Sequence, residues 1–217
     1  MLKIDFHTHS VASPDGGITA KQYRQLLDDG TLDYIAVTDH NRIDFAQELH
    51  QELGNKIIIG EEIMTAEGEL IGLFLDYLVE PDMTAYDTVQ AIHAQGGLVY
   101  VPHPFETVRQ GIQLEALDGV AKYVDIVEGH NGRAVFQNKS PRALAWAKTH
   151  QKPVAAASDA HGARGVGYTY TIVEKAPTHD TIVTSLTRAR RIHNRPPLST
   201  LAYPKLNRLR NRLKGTL

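Results

Sequence analysis

Short apolar runs that alternate with helical patterns are the feature of this sequence that most restricts its fold. Apolar and β-branched residues are concentrated in segments 2–6, 34–38, 56–59, 70–75, 98–101, 123–127 and 154–157. Helical periodicity and capping signals predict helices over 20–29, 43–53, 84–95, 140–150 and 178–191. Because the apolar runs are continuous rather than alternating, both faces of each strand are expected to be buried, as in a parallel sheet. The pattern predicts an α/β fold with a small (β/α) barrel, and a doubly wound open sheet is the alternative.

The composition excludes several other classes of protein. The 217 residues contain no cysteine, which excludes a disulfide framework and every thiolate-dependent site. Hydrophobic residues make up 42% of the chain, and no apolar run approaches the roughly 20 residues that span a bilayer. We therefore expect an ordered protein with no membrane partner. The polar N-terminal segment does not resemble a signal peptide, so a cytoplasmic protein is expected.

The charge is distributed unevenly along the chain. Residues 1–180 contain all 25 acidic residues and 14 basic ones, whereas residues 181–217 contain nine basic residues and no acidic one. The strand–helix rhythm is lost from about residue 196. We predict a barrel domain over 1–195 and a basic tail over 196–217, which either forms a short helix or is partly disordered. The tail either contacts an anionic partner or is a solvated surface.

Polar, chemically active residues follow six of the predicted strands. The sequence segments at these strand ends are HTH (7–9), TDH (38–40), EE (61–62), PHP (102–104), EGHN (128–131) and SDAH (158–161). In parallel α/β folds the carboxyl ends of the strands converge at one edge, where ligand sites are built. The sequence therefore predicts one site formed by residues that are far apart along the chain.

The spacing within these segments indicates metal binding. In His7-x-His9 both rings lie on the same side of an extended backbone, so that one cation can contact both, and Asp159-x-His161 has the same spacing. Imidazole and carboxylate ligands without sulfur favour Zn, Mn, Fe or Ni over Ca or Mg. A carboxylate such as Glu62 can bridge two cations.

Five segments, in order, resemble the polymerase and histidinol phosphatase (PHP) superfamily. They are HTHS (7–10), TDHN (38–41), GEEI (60–63), PHP (102–104) and SDAHG (158–162), and the resemblance extends over about residues 1–175. The resemblance implies a distorted (β/α)7 barrel that carries its metal site at the carboxyl ends of the strands. It also implies hydrolysis of phosphoesters with two or three divalent ions, usually Mn, Zn or Fe.

The same resemblance implies a ligand for each metal. One ion would be held by His7, His9, Glu62 and Asp159; a second would share Glu62 and take His103; a third would take Asp15, His40 and His161. Members of the family normally offer a further histidine to the second ion, three residues before a glycine. Glu69 stands at that position here, and it is predicted to be a ligand; the exchange predicts a second site that is weaker, more suited to Mn, or empty in the isolated protein.

Metal-ion catalysis fits this residue set. Shared cations lower the pKa of bound water from about 15.7 toward 7, which supplies hydroxide at neutral pH. The resemblance implies that no protein nucleophile is needed, in agreement with the absence of cysteine. Candidates for moving protons are Asp159, His40 and His161.

Loops at the same edge also offer groups that bind phosphate. Arg109, Arg133 and Arg164 follow the fifth, sixth and seventh strands, and the guanidinium fork suits bidentate contact with phosphate. Asn131 is a further candidate for contact with the substrate.

The leading hypothesis is a metal-dependent phosphoesterase that acts on a small phosphorylated metabolite or nucleotide. One alternative is a nuclease that acts on oligonucleotide ends, with the basic tail binding nucleic acid phosphates. A metal-dependent C–N hydrolase of amidohydrolase type and a non-catalytic binding module are the others. The sequence indicates no oligomeric state.

Overall fold

The computed structural model describes residues 1–135 and 138–214 of the chain. Within them lie nine strands, seven α-helices and four short 3-10 helices. The strands are β1 (Leu2–Asp5), β2 (Tyr34–His40), β3 (Ile57–Thr65), β4 (Gly68–Leu73), β5 (Leu98–Val101), β6 (Ile126–Asn131), β7 (Val154–Ala157), β8 (Thr169–Val173) and β9 (Arg190–His193). The α-helices are α1 (Ala20–Asp28), α2 (Asp44–Leu53), α3 (Ala85–Ala94), α4 (Leu114–Val120), α5 (Ser140–Thr149), α6 (His179–Leu186) and α7 (Tyr203–Lys214). The 3-10 helices are Gly54–Lys56, Ala121–Tyr123, Ala163–Gly165 and Leu198–Ala202.

The strands form one sheet in the order β7-β6-β5-β4-β3-β2-β1-β8-β9. The two ends of the sheet approach each other where β7 meets β8: the Thr171 hydroxyl accepts from the Ala156 amide at 2.8 Å and donates to its carbonyl at 2.9 Å. The sheet is therefore a nearly closed barrel, which confirms the predicted α/β barrel class over the open-sheet alternative. It has nine strands in the described part of the chain, against the seven predicted.

Strand direction departs from the predicted all-parallel sheet. The pairs β1–β2, β2–β3, β5–β6 and β6–β7 are parallel, but β3–β4, β4–β5, β1–β8 and β8–β9 are antiparallel. The reason lies in β3, which continues to Thr65 and turns directly into β4. Gly68 supports this turn with a φ of 127°, in a region that favours glycine. A tight hairpin replaces the crossover helix that a parallel neighbour would need.

The last predicted helix was wrong at its end. Helix α6 stops at Leu186, and Arg190–His193 forms the edge strand β9. The apolar helical spacing stops at Leu186, and the residues beyond it are mainly basic and exposed. Charged side chains are typical of an edge strand, where they discourage pairing with other chains.

The apolar halves of the strands and one face of each barrel helix make the core. Ile4, Ile71 and Tyr100 are fully buried among residues from neighbouring strands, and the helices cover the sheet from outside. Polar residues are concentrated toward the strand ends, so the candidate site lies at one edge of an apolar barrel. No helix in residues 1–135 and 138–214 is long and apolar enough to cross a membrane.

The tail is ordered over most of its length. Its 3-10 helix and α7 follow β9, so a short basic helix, one of the two forms predicted, is present up to Lys214. The last three residues of the predicted tail, 215–217, and residues 136–137 of the predicted barrel domain lie outside the described residues.

Candidate metal centre

The structure gathers all nine predicted metal ligands at one mouth of the barrel. Eight of them are buried and His40 is partly exposed. They are His7 and His9 after β1, Asp15 before α1, His40 at the end of β2, Glu62 in β3, Glu69 in β4, His103 after β5, and Asp159 and His161 after β7. Their ligand atoms form four overlapping groups in which all atoms lie within 4.8 Å of one another.

The deepest group contains His7, His9, Glu62 and Asp159. The Nε2 atoms of His7 and His9 are 3.1 Å apart, and each lies 3.3 Å from the same oxygen of Glu62. Asp159 Oδ1 is 3.7 Å from the first nitrogen and 3.5 Å from the second. Two imidazoles and two carboxylates converging on one point can hold a single cation.

A second group lies on the other side of Glu62. His103 Nε2 is 3.1 Å from Glu62 Oε1, so the two oxygens of this carboxylate face different histidines. Glu69 Oε2 is 3.8 Å from His103 Nε2, and its other oxygen is 3.6 Å from His40 Nδ1. Glu69 therefore lies within reach of a second ion, and Glu62 has the geometry of a bridging carboxylate.

The third group is formed by Asp15, His40 and His161 at the rim. Asp15 lies 3.6 Å from His40 Nε2 and 3.4 Å from His161 Nε2. The loop that carries Asp15 packs closely against the backbone of residues 9–10, which follow β1. A Cβ at Gly16 would stand 2.0 Å from the carbonyl oxygen of Ser10. Only glycine permits this approach, which brings Asp15 to the histidines.

Two of the candidate ligands have a backbone conformation that is rare for non-glycine residues. The φ angles are 26° at His103 and 52° at Asp159, both in the left-handed region. Such residues carry about 1–3 kcal/mol of strain each and cluster at functional sites. The surrounding fold holds these two side chains at the mouth against that strain.

The pKa values of the deep histidines and of Glu69 reflect the buried carboxylates around them. Burial disfavours the charged form of His7, but Glu62 and Asp159 outweigh it and hold its pKa well above the usual range. His9, also buried, has its pKa raised to about 10 by the same two carboxylates. Burial and the neighbouring Glu62 raise the pKa of Glu69 to about 9. The carboxylates around His7 and His9 therefore favour positive charge at this position.

The rim histidines show the opposite behaviour. Burial, His9 and Arg133 lower the pKa of His161 to about 3, and burial also lowers the pKa of His40. Both are neutral at pH 7, which is the form that binds a metal.

The donor chemistry fits divalent transition metals. The described site offers imidazole nitrogens and carboxylate oxygens, and the chain has no cysteine. Within the described residues, His9 Nδ1 and His103 Nδ1 are buried and have no hydrogen-bond partner. Buried acids and imidazoles in this number are costly unless cations compensate them.

Glu128 supports the deep group, and sequence reasoning did not select it as a site residue. Its carboxylate accepts hydrogen bonds from His7 Nδ1 at 3.0 Å, the Tyr100 hydroxyl at 2.9 Å, the His103 amide at 3.0 Å and Asn131 Nδ2 at 2.6 Å. A carboxylate on the second nitrogen of a metal-binding histidine fixes the ring and its tautomer. The signal available in the sequence was an acid directly after the apolar residues 126–127, because a buried charge requires partners.

Two of the three predicted phosphate-binding arginines reach the cluster, and both bind Asp159. Arg109 donates to Asp159 Oδ2 at 2.6 Å and to Asn131 Oδ1 at 2.5 Å, and Arg133 donates to Asp159 Oδ1 at 3.2 Å. Glu106 holds Arg109 from the other side at 2.9 Å. These contacts place Arg109, Asn131 and Arg133 around one carboxylate at the mouth.

Arg164 lies apart from them. It belongs to the 3-10 helix Ala163–Gly165 and is exposed, and within the described residues it forms no ion pair with the cluster. The structure does not bring it to the other candidates.

A residue of the tail reaches the cluster instead. Arg208, on α7, lies with its Nη2 2.8 Å from Asp15 Oδ2. Nothing in the basic sequence of the tail predicts this contact, which depends on how the last helix docks.

A cleft opens beside the rim. It measures about 710 Å³, and its lining includes His40, Arg42, Tyr77 and Leu78. Tyr77 is 55% exposed and Leu78 39% exposed, so apolar surface faces solvent next to a candidate metal ligand. Clefts of about 300–1,000 Å³ accommodate small-molecule ligands.

The chain is similar to known proteins in sequence and in fold. The PHP-associated family (PHP_C) matches residues 138–190, a segment that contains Asp159 and His161. Uncharacterized protein MJ0417 from Methanocaldococcus jannaschii is 31% identical over 178 residues, which cover 78% of this chain and 69% of that protein.

Two solved structures share the fold. A two-domain protein from Bacteroides vulgatus that contains a predicted PHP-like metal-dependent phosphoesterase matches with a TM-score of 0.71 and 22% identity, over 89% of this chain and 65% of that chain. The lesion-specific endonuclease PfuEndoQ from Pyrococcus furiosus matches with a TM-score of 0.61 and 12% identity, over 88% of this chain and 57% of that chain. At these identities the likeness concerns the fold.

Proposed function

Because this chain belongs to the PHP superfamily, we propose that it is a metal-dependent phosphoesterase that hydrolyses a small phosphorylated metabolite or nucleotide. The observation that carries the proposal is the convergence of nine imidazole and carboxylate side chains at one mouth of the barrel. These residues come from positions between His7 and His161, so only a folded chain brings them together.

Two or three divalent ions, of Mn, Zn or Fe, would be held here. His7, His9, Glu62 and Asp159 would bind one, Glu62, Glu69 and His103 a second, and Asp15, His40 and His161 a third. Bound in these positions, the ions would activate water and neutralise phosphoryl oxygens.

The side chains of the mouth divide the remaining tasks. Asp159, His40 and His161 are the candidates for moving a proton, and His40 is the one that solvent reaches, with 22% of its side chain exposed. Arg109 and Arg133 fix Asp159, and their cationic groups lie close enough to the mouth to attract an anionic substrate.

The cleft beside His40 offers room for part of the substrate. Its volume of about 710 Å³ suits the leaving group of a small ester, with Tyr77 and Leu78 available to an apolar or aromatic part. A phosphate at the metal ligands and a leaving group in this cleft would lie side by side.

A nuclease is the second candidate. The observation that favours it is the basic helix α7 at the rim, and an endonuclease is among the proteins that share the fold. A panel of aryl phosphates, nucleotides and short oligonucleotides separates the two hypotheses by substrate. Amine release from an amide panel would instead indicate C–N hydrolysis.

The proposal is tested on purified protein loaded with Mn²⁺ or Zn²⁺ and a generic aryl phosphate. Changing His9→Ala removes a ligand of the deep group whose ring also lies within reach of Asp15, His40 and His161. We expect His9→Ala to lose several kcal/mol of transition-state stabilisation, which corresponds to at least about a 10³-fold decrease in turnover. The matched control is His179→Ala, because His179 is an exposed histidine on α6 and lies outside the four groups.

Elemental analysis of the same samples gives the metal content. The proposal predicts metal in the wild-type and His179→Ala proteins and less in His9→Ala. Unchanged turnover by a folded, metal-depleted His9→Ala protein would refute the mechanism.

A further inference from the structure

Helix α7 is attached to the two loops that carry the rim ligands. Asn207 Nδ2 donates to the carbonyl of Asp15 and to the carbonyl of His161, each at 2.9 Å. One turn later, Asn211 Nδ2 donates to the carbonyl of Pro14 at 3.0 Å. The helix therefore has a defined position relative to Asp15 and His161.

Close backbone approach reinforces this position. A Cβ at Gly17 would stand 2.8 Å from the side-chain nitrogen Nδ2 of Asn207, and a Cβ at Gly162 would stand 2.6 Å from the ring of Tyr203. Gly17 lies two residues after Asp15 and Gly162 directly follows His161, so a side chain at either position would collide with Asn207 or Tyr203 unless those side chains moved. Helix α7 thus packs closely against both the loop of Asp15 and the loop of His161.

One arginine of helix α7 contacts the cluster of candidate metal ligands. Arg208 contacts Asp15 at 2.8 Å, yet 57% of its side chain is exposed. By contrast, Arg109 is 12% exposed and Arg133 17% exposed, and both are engaged with Asp159. Among these three arginines, which reach the cluster in the described part of the chain, only Arg208 keeps most of its surface open to an incoming ligand.

An exposed cationic group at the rim favours the approach of an anionic substrate. The mouth contains the candidate carboxylate ligands Asp15, Glu62 and Asp159, whose negative charge repels a phosphate that approaches from solvent. An exposed guanidinium at the rim opposes this repulsion and can donate two hydrogen bonds to one phosphate.

We propose that Arg208 binds the phosphate of the substrate, so that the C-terminal helix contributes a binding residue to the active site. The phosphate would lie between Arg208 and the Asp15–His40–His161 group. This inference rests on the proposed phosphoesterase function and assigns to the tail a role in the same site.

The test uses the full-length, metal-loaded protein and inorganic phosphate as the probe. Calorimetric titration compares the wild type with Arg208→Ala, Arg208→Lys and Arg210→Ala. Arg210 is the matched control, since it is an exposed arginine two residues further along the same helix. Loss of charge-assisted hydrogen bonds predicts roughly 10–100-fold weaker phosphate binding for Arg208→Ala, partial recovery with lysine and no change for Arg210→Ala.

Steady-state kinetics and metal analysis on the same proteins separate binding from support of the metal ligand. The KM for an aryl phosphate should rise about as much as the dissociation constant of phosphate, with a smaller change in kcat and an unchanged metal content. If Arg208→Ala loses metal but its remaining loaded fraction binds phosphate like the wild type, Arg208 only positions Asp15 and the inference is wrong.

Two further outcomes are distinguishable. An active wild type whose Arg208→Ala and Arg208→Lys variants match Arg210→Ala overturns this inference and leaves the proposed function standing. A metal-loaded wild type that neither binds phosphate nor hydrolyses aryl phosphate overturns both. Thermal melting of each variant identifies any loss of fold, and Arg208→Lys retains the charge if the alanine variant does not fold.

Discussion

The two halves of the mouth are built differently. In the deep half, His7, His9 and Asp159 are at most 2% exposed and follow barrel strands directly. In the rim half, His40 has 22% of its side chain exposed, and Asp15 comes from a loop that is held by α7. The deep half is part of the barrel, whereas the rim half is assembled from segments that lie about 190 residues apart in the sequence.

The difference separates two requirements of a hydrolytic metal site. A buried set of ligands would fix the geometry of the ions, because partners such as Glu128 on His7 restrict the rotation of the side chains. An open rim admits the substrate and releases the product. We expect changes in the deep half to act on metal affinity and changes at the rim to act on substrate binding and on the docking of α7.

The largest effect in this comparison is expected from Glu128→Gln. The change keeps the size of the side chain but removes the charge that orients His7 and lies near His103. Loss of such a supporting carboxylate lowers metal affinity by about 10–100-fold. Competition with a chromophoric chelator measures the effect.

Glu61→Gln is the matched control for this change. Glu61 is also buried in the sheet, but its carboxylate accepts from the Val79 amide at 2.9 Å and is not in any of the four ligand groups. An equal loss of metal affinity in both variants would mean that the deep half responds to general loosening of the barrel rather than to loss of the hydrogen bond between His7 and Glu128.

The pH dependence of metal binding should also distinguish the halves. Although burial disfavours its charged form, Asp159 and Glu62 raise the pKa of His9 to about 10, so it carries a proton at pH 7 and metal binding must expel that proton. Apparent affinity at the deep half should therefore rise with pH by about tenfold per unit for each proton released, up to the raised pKa. At the rim, burial lowers the pKa of His161 to about 3, so no proton has to leave that ring at pH 7.

Calorimetry in two buffers of different ionisation enthalpy counts the protons released with each equivalent of metal. The tighter equivalent should release protons from the deep half. Asp15→Asn, which removes a rim carboxylate, should leave that proton count unchanged. A first equivalent that binds without proton release would contradict the description of the deep half.

The deep half was largely accessible from the sequence. His7, His9, His103 and Asp159 follow short apolar runs, and convergence of the strand ends was enough to predict that they meet. The direction of strand β4 was predicted wrongly, because its continuous apolar pattern resembles that of a strand in a parallel sheet. Even so, Glu69 reaches the site, since the hairpin turn after Thr65 returns the chain to the same mouth.

The rim half was accessible only in part. Asp15 and His40 belong to segments that the PHP resemblance identifies, but the contacts of Arg208 and Asn207 depend on how a helix far along the chain docks. Amphipathic periodicity predicts that a helix forms, and it contains no information about which loop the helix will contact. Strand β9 was missed because it is short, basic and exposed, and lacks the apolar signal of a buried strand. Strand β8 was also missed, although its residues are mostly buried and β-branched.

The smallest effect concerns the attachment of α7, and it decides whether the rim half is a stable part of the fold. Asn207→Ala removes two hydrogen bonds to the loops of Asp15 and His161, each contributing a net of about 1 kcal/mol. The free energy of unfolding in urea should fall by about 1–2 kcal/mol, while Lys205→Ala, on an exposed position of the same helix, should change it by less than about 0.5 kcal/mol. If both variants unfold like the wild type, α7 is not fixed by these bonds, and the open half of the mouth owes its geometry to the barrel loops alone.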